Sequence, residues 1–267
     1  MFSVSESQSF LRGAGGPPPT GGGEGTSRTP YGGGLPPDAN CLLSVADHCL
    51  RSRNYVNLII IDKQPQLQWL DMKAAQAHCA RGASVWEWAG NETGSSPDLV
   101  MACAGDTPTL ETMAAVSWLR EHAPDVKVRV VNVVDLMALF SPELHPHGMQ
   151  DGPFEEIFTR DAHVIFAFHG YPGAIHQLLH GRSHPERFHV RGYNEEGTTT
   201  TPFHMVVLNE ISRYHLCMAA LQRTRRPPPD APALIHECEA ALDRHRTYIR
   251  EHFEDLPEIR DWKWSAR

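Results

Sequence analysis

Four short stretches of the chain hold residue types that could do chemistry. Lys63-Gln64-Pro65-Gln66 follows a β-branched run ending at Ile61. A lysine and a glutamine at a strand terminus could hold a sugar phosphate, the lysine acting as a point charge. A lysine in a polar loop can equally be just solvated. Gly105-Asp106-Thr107-Pro108-Thr109 joins an apolar run to an amphipathic one. Free N–H groups and the dipole of a helix opening there would attract an anion or effector; the alternative is a plain turn before a capped helix. His169-Gly170-Tyr171-Pro172-Gly173 ends another apolar run, where a histidine could be acid, base, phosphate donor or structural hydrogen-bonder. His145-Pro146-His147 has the look of a metal pair, but no H-E-x-x-H and no carboxylate at ligand spacing accompanies it, so no metal site is expected.

Other signatures are missing. The sequence has no G-x-G-x-x-G and no Walker A, which disfavours a standard nucleotide site, and no G-x-S-x-G elbow. The six cysteines, at 41, 49, 79, 103, 217 and 238, include no C-x-x-C pair and no zinc spacing. Several lie in apolar runs, so buried, reduced thiols and a cytosolic compartment are expected.

With 24 Lys+Arg against 32 Asp+Glu, the 267 residues carry a net charge of −8 at pH 7. That balance argues against nucleic-acid binding, which draws on Lys and Arg neutralising phosphates. No apolar run approaches the roughly 20 residues of a membrane helix. Met1 to Glu6 has neither a basic nor an apolar region of a secretory signal, so none is expected.

The elements that must position these residues begin after a sharp change in composition. Residues 1–34 hold ten of the 21 glycines and Pro17-Pro18-Pro19. They offer too little apolar surface to offset ordering entropy, so a disordered tail is expected. From residue 35, short β-branched runs alternate with amphipathic helices. Helices are expected at 41–50, 71–80, 108–122, 154–159, 174–180, 202–223 and 233–253. Strands are expected at 55–61, 84–89, 99–104, 128–134, 164–168 and 188–190, with a turn-rich boundary at 91–97. The last four strands are nearly continuous in apolar character, which suits parallel strands covered on both faces. The result is an α/β fold: a mostly parallel sheet flanked by helices. Thr107-Pro108 and Thr201-Pro202 each read as an N-cap followed by proline at the first helical position.

Longer stretches carry a resemblance. Leu35-Pro36-Pro37-Asp38-Ala39-Asn40-Cys41-Leu42-Leu43-Ser44, Lys63–Gln66 and Val164–Pro172 resemble bacterial phosphoketolases. So does Val190-Arg191-Gly192-Tyr193-Asn194-Glu195-Glu196-Gly197-Thr198-Thr199-Thr200-Thr201-Pro202-Phe203, and the likeness covers nearly everything after residue 34. Leu99–Asp106 is more distantly similar to the strand and turn that open the C-terminal domain of transketolases.

The resemblance implies a thiamine-diphosphate and Mg²⁺ enzyme that splits xylulose 5-phosphate or fructose 6-phosphate with inorganic phosphate. Its products would be acetyl phosphate and a shorter aldose phosphate. It further implies residues 35–90 as the trailing part of a pyrimidine-binding domain and 91–267 as a C-terminal α/β domain. The cofactor-binding glutamate and most active-site histidines would lie outside this chain, and Gly105-Asp106 is followed by threonine rather than a second glycine. No catalytic residue, no metal and no bound cofactor are therefore expected here, and no turnover by the chain alone.

The resemblance places the family's substrate-phosphate lysine at Lys63, with Gln64 beside it. Gly105, Asp106, Thr107 and His169 remain as an anion or effector site. Two positions depart from the family pattern. Asp62 replaces a small residue and would weaken attraction for phosphate. His204 replaces an aspartate at the third position of a helix, losing a capping box at a cost of roughly 0.5–1 kcal/mol. A homodimer, or association with a fuller phosphoketolase chain, is the expected partnership, with neither nucleic acid nor membrane.

Overall fold

The computed structural model describes residues 31–54, 56–92, 96–194 and 199–265. Its centre is where the apolar runs are most continuous. Strands β4 (Leu99–Ala104) and β6 (Val164–Phe168) are buried at every position. They lie side by side in a five-stranded sheet ordered β3 (Ala83–Val85), β5 (Val128–Val133), β4, β6, β7 (Phe188–Gly192). The last four are parallel; β3 runs antiparallel to β5, with Ala83 opposite Val133.

Side-chain alternation along the strands divides the core in two. Leu99, Met101 and Cys103 face the same way as Val128, Val130, Ile165 and Ala167. Helices α3 (Asp106–His122), α7 (Arg213–Arg223) and α8 (Ala231–His252) supply much of that layer. Val100, Ala102, Ala104, Phe166 and Phe168 face the other way, covered by α4 (Asp151–Phe158), α5 (Pro172–Leu178) and the 3₁₀ turn Leu136–Leu139. A buried polar chain runs within the first of these layers. Ser84 Oγ meets His78 Nδ1 at 2.7 Å, His78 Nε2 meets Asn132 Oδ1 at 2.8 Å, and Asn132 Nδ2 donates to Thr109 Oγ1 at 3.0 Å.

Helices α1 (Ala39–Arg51) and α2 (Met72–Arg81) both open on aspartates. Asp38 Oδ1 accepts from Cys41 N and Asp71 Oδ1 from Ala74 N, each at 2.8 Å. The other oxygen of Asp38 accepts from the backbone of Trp69 and Leu70, so one carboxylate ties the start of α1 to the approach to α2. All six cysteines are free thiols, with Cys49 and Cys79 half-buried and the other four buried.

Several expectations need correction. The disordered tail was expected to run to residue 34, yet Tyr31–Gly34 forms β1, parallel to β2 (Val56–Ile59) with Gly34 opposite Ile59. Strand pairing needs only backbone groups, so a glycine run can join a sheet. Residues 1–30 lie outside the described residues, as do Tyr55 and 93–95 of the expected boundary. The strand expected at 84–89 is only Ala83–Val85, and it joins the main sheet, so the division at residue 90 is crossed by the sheet.

The single helix expected at 202–223 is two, α6 (Pro202–Leu208) and α7. Between them Glu210 takes a left-handed φ of 52°, while both ends of the Asn209 amide are held by the backbone of Asn194. Thr201 does cap α6, accepting from His204 N at 3.3 Å. Thr107, by contrast, is not a cap: Gly105, at φ 100°, turns the chain so that α3 begins at Asp106. A Cβ at Gly105 would come within 2.8 Å of that of His169, so glycine is required on two counts. A short α9 (Pro257–Arg260) follows α8.

Candidate functional site

The parallel strands β4, β6 and β7 all deliver their carboxyl ends to one edge of the sheet, where open α/β folds place ligands. From β4 come Gly105, Asp106 and Thr107; from β6 comes His169; from β7 comes Tyr193. The Lys63–Gln66 loop lies against this edge, and the device that holds it is Asp62. Its Oδ1 accepts from the backbone N–H of Lys63 at 2.6 Å and of Gln64 at 3.1 Å. Its Oδ2 accepts from Gln66 Nε2 and from Thr107 Oγ1, both at 2.9 Å. The Asp62 N–H in turn donates to Asp106 Oδ2 at 2.5 Å. A residue expected only to repel phosphate is thus the hub of the loop and its bolt to α3.

The start of α3 is less open to an anion than its sequence implies. Asp106 Oδ1 already accepts from Thr107 N at 2.8 Å, Thr109 N donates to Gly105 O, and Pro108 has no N–H. The carboxylate of Asp106 occupies the place an incoming anion would take. His169 stands behind it, its Nδ1 3.4 Å from Asp106 Oδ1, too far for a good hydrogen bond. That nitrogen is buried without a hydrogen-bond partner, and the ring meets Tyr193 edge-on at 5.0 Å. The six residues expected to carry function are therefore gathered in one neighbourhood. Lys63, Gln64 and Thr107 line a cavity; Gly105, Asp106 and His169 form its support.

That cavity has a volume of about 380 Å³ and is also lined by Tyr193, Thr200, Phe203, Arg213 and Arg260. Its deepest charges form a pair that local sequence reading missed. Glu111 on α3 and Arg213 at the start of α7 are 2% and 5% exposed. Glu111 Oε2 accepts from Arg213 N at 2.7 Å and Nε at 3.1 Å, while Oε1 accepts from Nη2 at 2.8 Å. Burial pulls the Arg213 guanidinium down, but the charge and hydrogen bonds of Glu111 hold it above its usual value. Phe203 and Trp262 flank the guanidinium at 5.4 and 5.3 Å. Nothing local signals a pairing across 102 positions.

The histidines expected in loops serve structure. His147 Nδ1 bonds Asp135 Oδ2 at 2.8 Å, and that bond raises its pKa. At the departure noted at position 204, the ring packs 5.6 Å from His245, which is wholly buried. Among the described residues, no three His, Cys, Asp or Glu side chains gather to hold a metal ion. The carboxylate of Asp106, the nearest to a Mg²⁺–diphosphate ligand in sequence, is committed to backbone N–H groups. The residues present do not fit that cofactor.

A parallel sheet with a polar cavity at its carboxyl edge defines a transketolase-like α/β fold. The structure is similar to that of a transketolase from Leishmania mexicana, with a TM-score of 0.50 and 14% identity over 74% of this chain and 26% of that one. Residues 63–264 match the XFP C-terminal domain, and the chain belongs to that family. A probable phosphoketolase of Rhodopseudomonas palustris strain TIE-1 is 60% identical over 232 residues. One of Rhodopirellula baltica is 57% identical over 233, and a probable phosphoketolase 2 of Nostoc sp. PCC 7120 is 58% identical over 230. The chain spans 29% of the length of each of these three relatives and they cover 86–87% of it. No helix among the described residues is long and apolar enough to cross a membrane.

Proposed function

We propose that this chain supplies the substrate-phosphate end of a cytoplasmic phosphoketolase. Such an aldehyde-lyase of carbohydrate metabolism cleaves xylulose 5-phosphate or fructose 6-phosphate with phosphate to acetyl phosphate. The observation that carries the reading is the loop of Lys63 and Gln64, held open onto the 380 Å³ cavity by Asp62. Lys63 supplies the charge, with the Gln64 amide beside it, while Arg260 and Thr200 complete a polar wall. Thiamine diphosphate, which would supply the carbanion chemistry when bound, has no fitting donor set here and belongs to the part of the relatives this chain does not span. The chain alone is then inactive.

Calorimetric titration tests the binding half. Fructose 6-phosphate should bind, unphosphorylated fructose should not, and Lys63→Ala should weaken the phosphate ester at least roughly tenfold, about 1.4 kcal/mol. Equal affinity of wild type and Lys63→Ala would refute it. Acetyl phosphate formed by the purified chain with thiamine diphosphate and Mg²⁺ would refute the inactivity.

A second reading, an assembly module that docks on itself or on a fuller phosphoketolase, draws support from the surface of α1 and β2. There Leu43 and Leu50 are 60% and 88% exposed, and Val56 and Ile61 are exposed beside them. Light scattering with and without a full-length relative decides it: a clean monomer that ignores the relative sinks this reading.

A further inference from the structure

A second cavity, about 620 Å³, opens between β1, α1, α2 and the segment Val134–Ala138, far from any chemistry assigned above. Two half-buried thiols, Cys49 and Cys79, line it. Their surroundings differ sharply. Cys79, in the last turn of α2, sends its S–H to the carbonyl of Cys41 at 3.7 Å. Cys41, in the first turn of α1, is wholly buried. That contact places the Cys79 sulfur against the Cys41 residue, and the neighbouring Cys41 thiol and Ser44 hydroxyl lower its pKa against the opposing effects of burial and Asp38. Cys41 is pushed upward by that same thiol contact, by burial and by Asp38. Cys49 is pushed upward by burial and by Asp135.

We propose that Cys79 and Cys41 form a peroxide-oxidisable dithiol, in which Cys79 is oxidised first and Cys41 closes the disulfide. The geometry divides the roles. Cys79 opens onto a cavity that a hydroperoxide can enter, whereas Cys41 is wholly buried and does not line it. The Cys79 thiolate attacks one peroxide oxygen, the S–O bond forms as the O–O bond breaks, and the departing hydroxide takes a proton to become water. The Cys41 sulfur, losing its proton, then attacks the Cys79 sulfur, and the S–O bond breaks to release a second water. Two thiols and one hydrogen peroxide give one disulfide and two waters, with two electrons passing from sulfur to oxygen. The bond would staple the start of α1 to the end of α2, across the wall of the cavity.

Another thiol pair sharpens the contrast. Cys217 and Cys238 also influence each other, the Cys217 thiol being pushed up by burial and by Cys238, but both are buried in the core between α7 and α8. Proximity without access should leave them reduced. Cys49 is the complementary control, having access to the same cavity but no thiol partner in contact.

The test uses the reduced chain, hydrogen peroxide, alkylation of remaining thiols and peptide mass mapping. A Cys41–Cys79 linked peptide, lighter by two hydrogens, should appear first and revert with dithiothreitol, while Cys49, Cys103, Cys217 and Cys238 stay alkylated. Cys79 should react several-fold faster than Cys49, since its pKa is lowered and that of Cys49 raised. Cys41→Ser should stop the reaction at a Cys79 sulfenic acid that dimedone traps, and Cys79→Ser should leave Cys41 unmodified. Oxidation of Cys49 at the rate of Cys79, or a wild-type chain in which Cys79 is oxidised without linking to Cys41, would overturn the proposal. The wild-type measurement stands by itself if either variant folds poorly.

Discussion

The Glu111–Arg213 pair is the sharpest test of how the cavity wall is built. Glu111→Gln keeps the size of the side chain, removes its charge and turns an amide N–H₂ toward a guanidinium that is 5% exposed. Two unit charges about 4 Å apart at an effective dielectric near 20 interact by about 4 kcal/mol. Breaking a buried pair by removing one partner costs about 3–5 kcal/mol for the same reason: the surviving charge is left without compensation. Phe203 and Trp262, facing the guanidinium at 5.4 and 5.3 Å, keep part of that compensation. Cation–aromatic contacts are worth about 0.5–1 kcal/mol at exposed sites and about 2 kcal/mol when desolvated, as these are. The expected loss is therefore at the lower end, about 3 kcal/mol.

Urea denaturation followed by tryptophan fluorescence reads this loss, with Trp262 as a reporter beside the pair. The midpoint should fall with the slope unchanged. Thermal unfolding should drop by roughly 6–12 °C, since 1 kcal/mol moves a protein of this size by roughly 2–4 °C. The double variant Glu111→Leu with Arg213→Met should recover most of the loss, because no charge is then left buried. A Glu111→Gln loss below about 1 kcal/mol, the range of exposed pairs, would refute the reasoning, as would a double variant less stable than the single one.

Two further outcomes are expected. Asp62→Ala removes three acceptor contacts from the Lys63 loop and its tie to Thr107, so sugar-phosphate affinity should fall by calorimetry, although deleting a negative charge beside a lysine would by itself raise it; tighter binding would show that Asp62 acts only as a charge. Burial, together with nearby arginines, lowers His189 and His215 to about 4. Below the unfolded value near 6.5 the unfolded chain takes up protons that the folded chain refuses, so stability present above pH 6.5 should be lost between pH 6.5 and 4. The loss is at most about 3 kcal/mol per histidine, and a denaturation midpoint flat across that window would contradict it.

Much of the main sheet was legible because its signals are local. Continuous apolar runs marked β4 and β6, and Thr201-Pro202 marked the start of α6. What escaped depends on partners distant in the chain. The antiparallel β3 is set by Asn132 and Val133 across the sheet, not by its own three residues. The break at Glu210 is fixed by Asn194 gripping Asn209, which no helical pattern shows. At the site, Lys63 and Gln64 stood out by resemblance rather than by residue type, and the role of Asp62 was not legible at all, since a carboxylate beside a lysine reads as repulsion until its four donors are seen.

Those donors also say which part of the 35–90 stretch is finished by this chain. Its inner half is complete: β3 is an edge of the main sheet, and the Lys63 loop is locked through Asp62 to Thr107 and Asp106. A chain beginning after residue 90 would lose the Lys63 loop, one side of the 380 Å³ cavity and the edge of the sheet. The outer half is not complete. Strands β1 and β2 make a two-stranded parallel sheet, an arrangement too small to be stable by itself, and the exposed Leu43, Leu50, Val56 and Ile61 surround it. Relatives that match this chain over 29% of their length have ample further polypeptide to cover such a face. The Lys63 loop is held by hydrogen bonds within this chain, so the proposed phosphate binding and assembly should be separable. Charge substitutions at Leu50 or Val56 should abolish association with a fuller chain while leaving sugar-phosphate affinity unchanged.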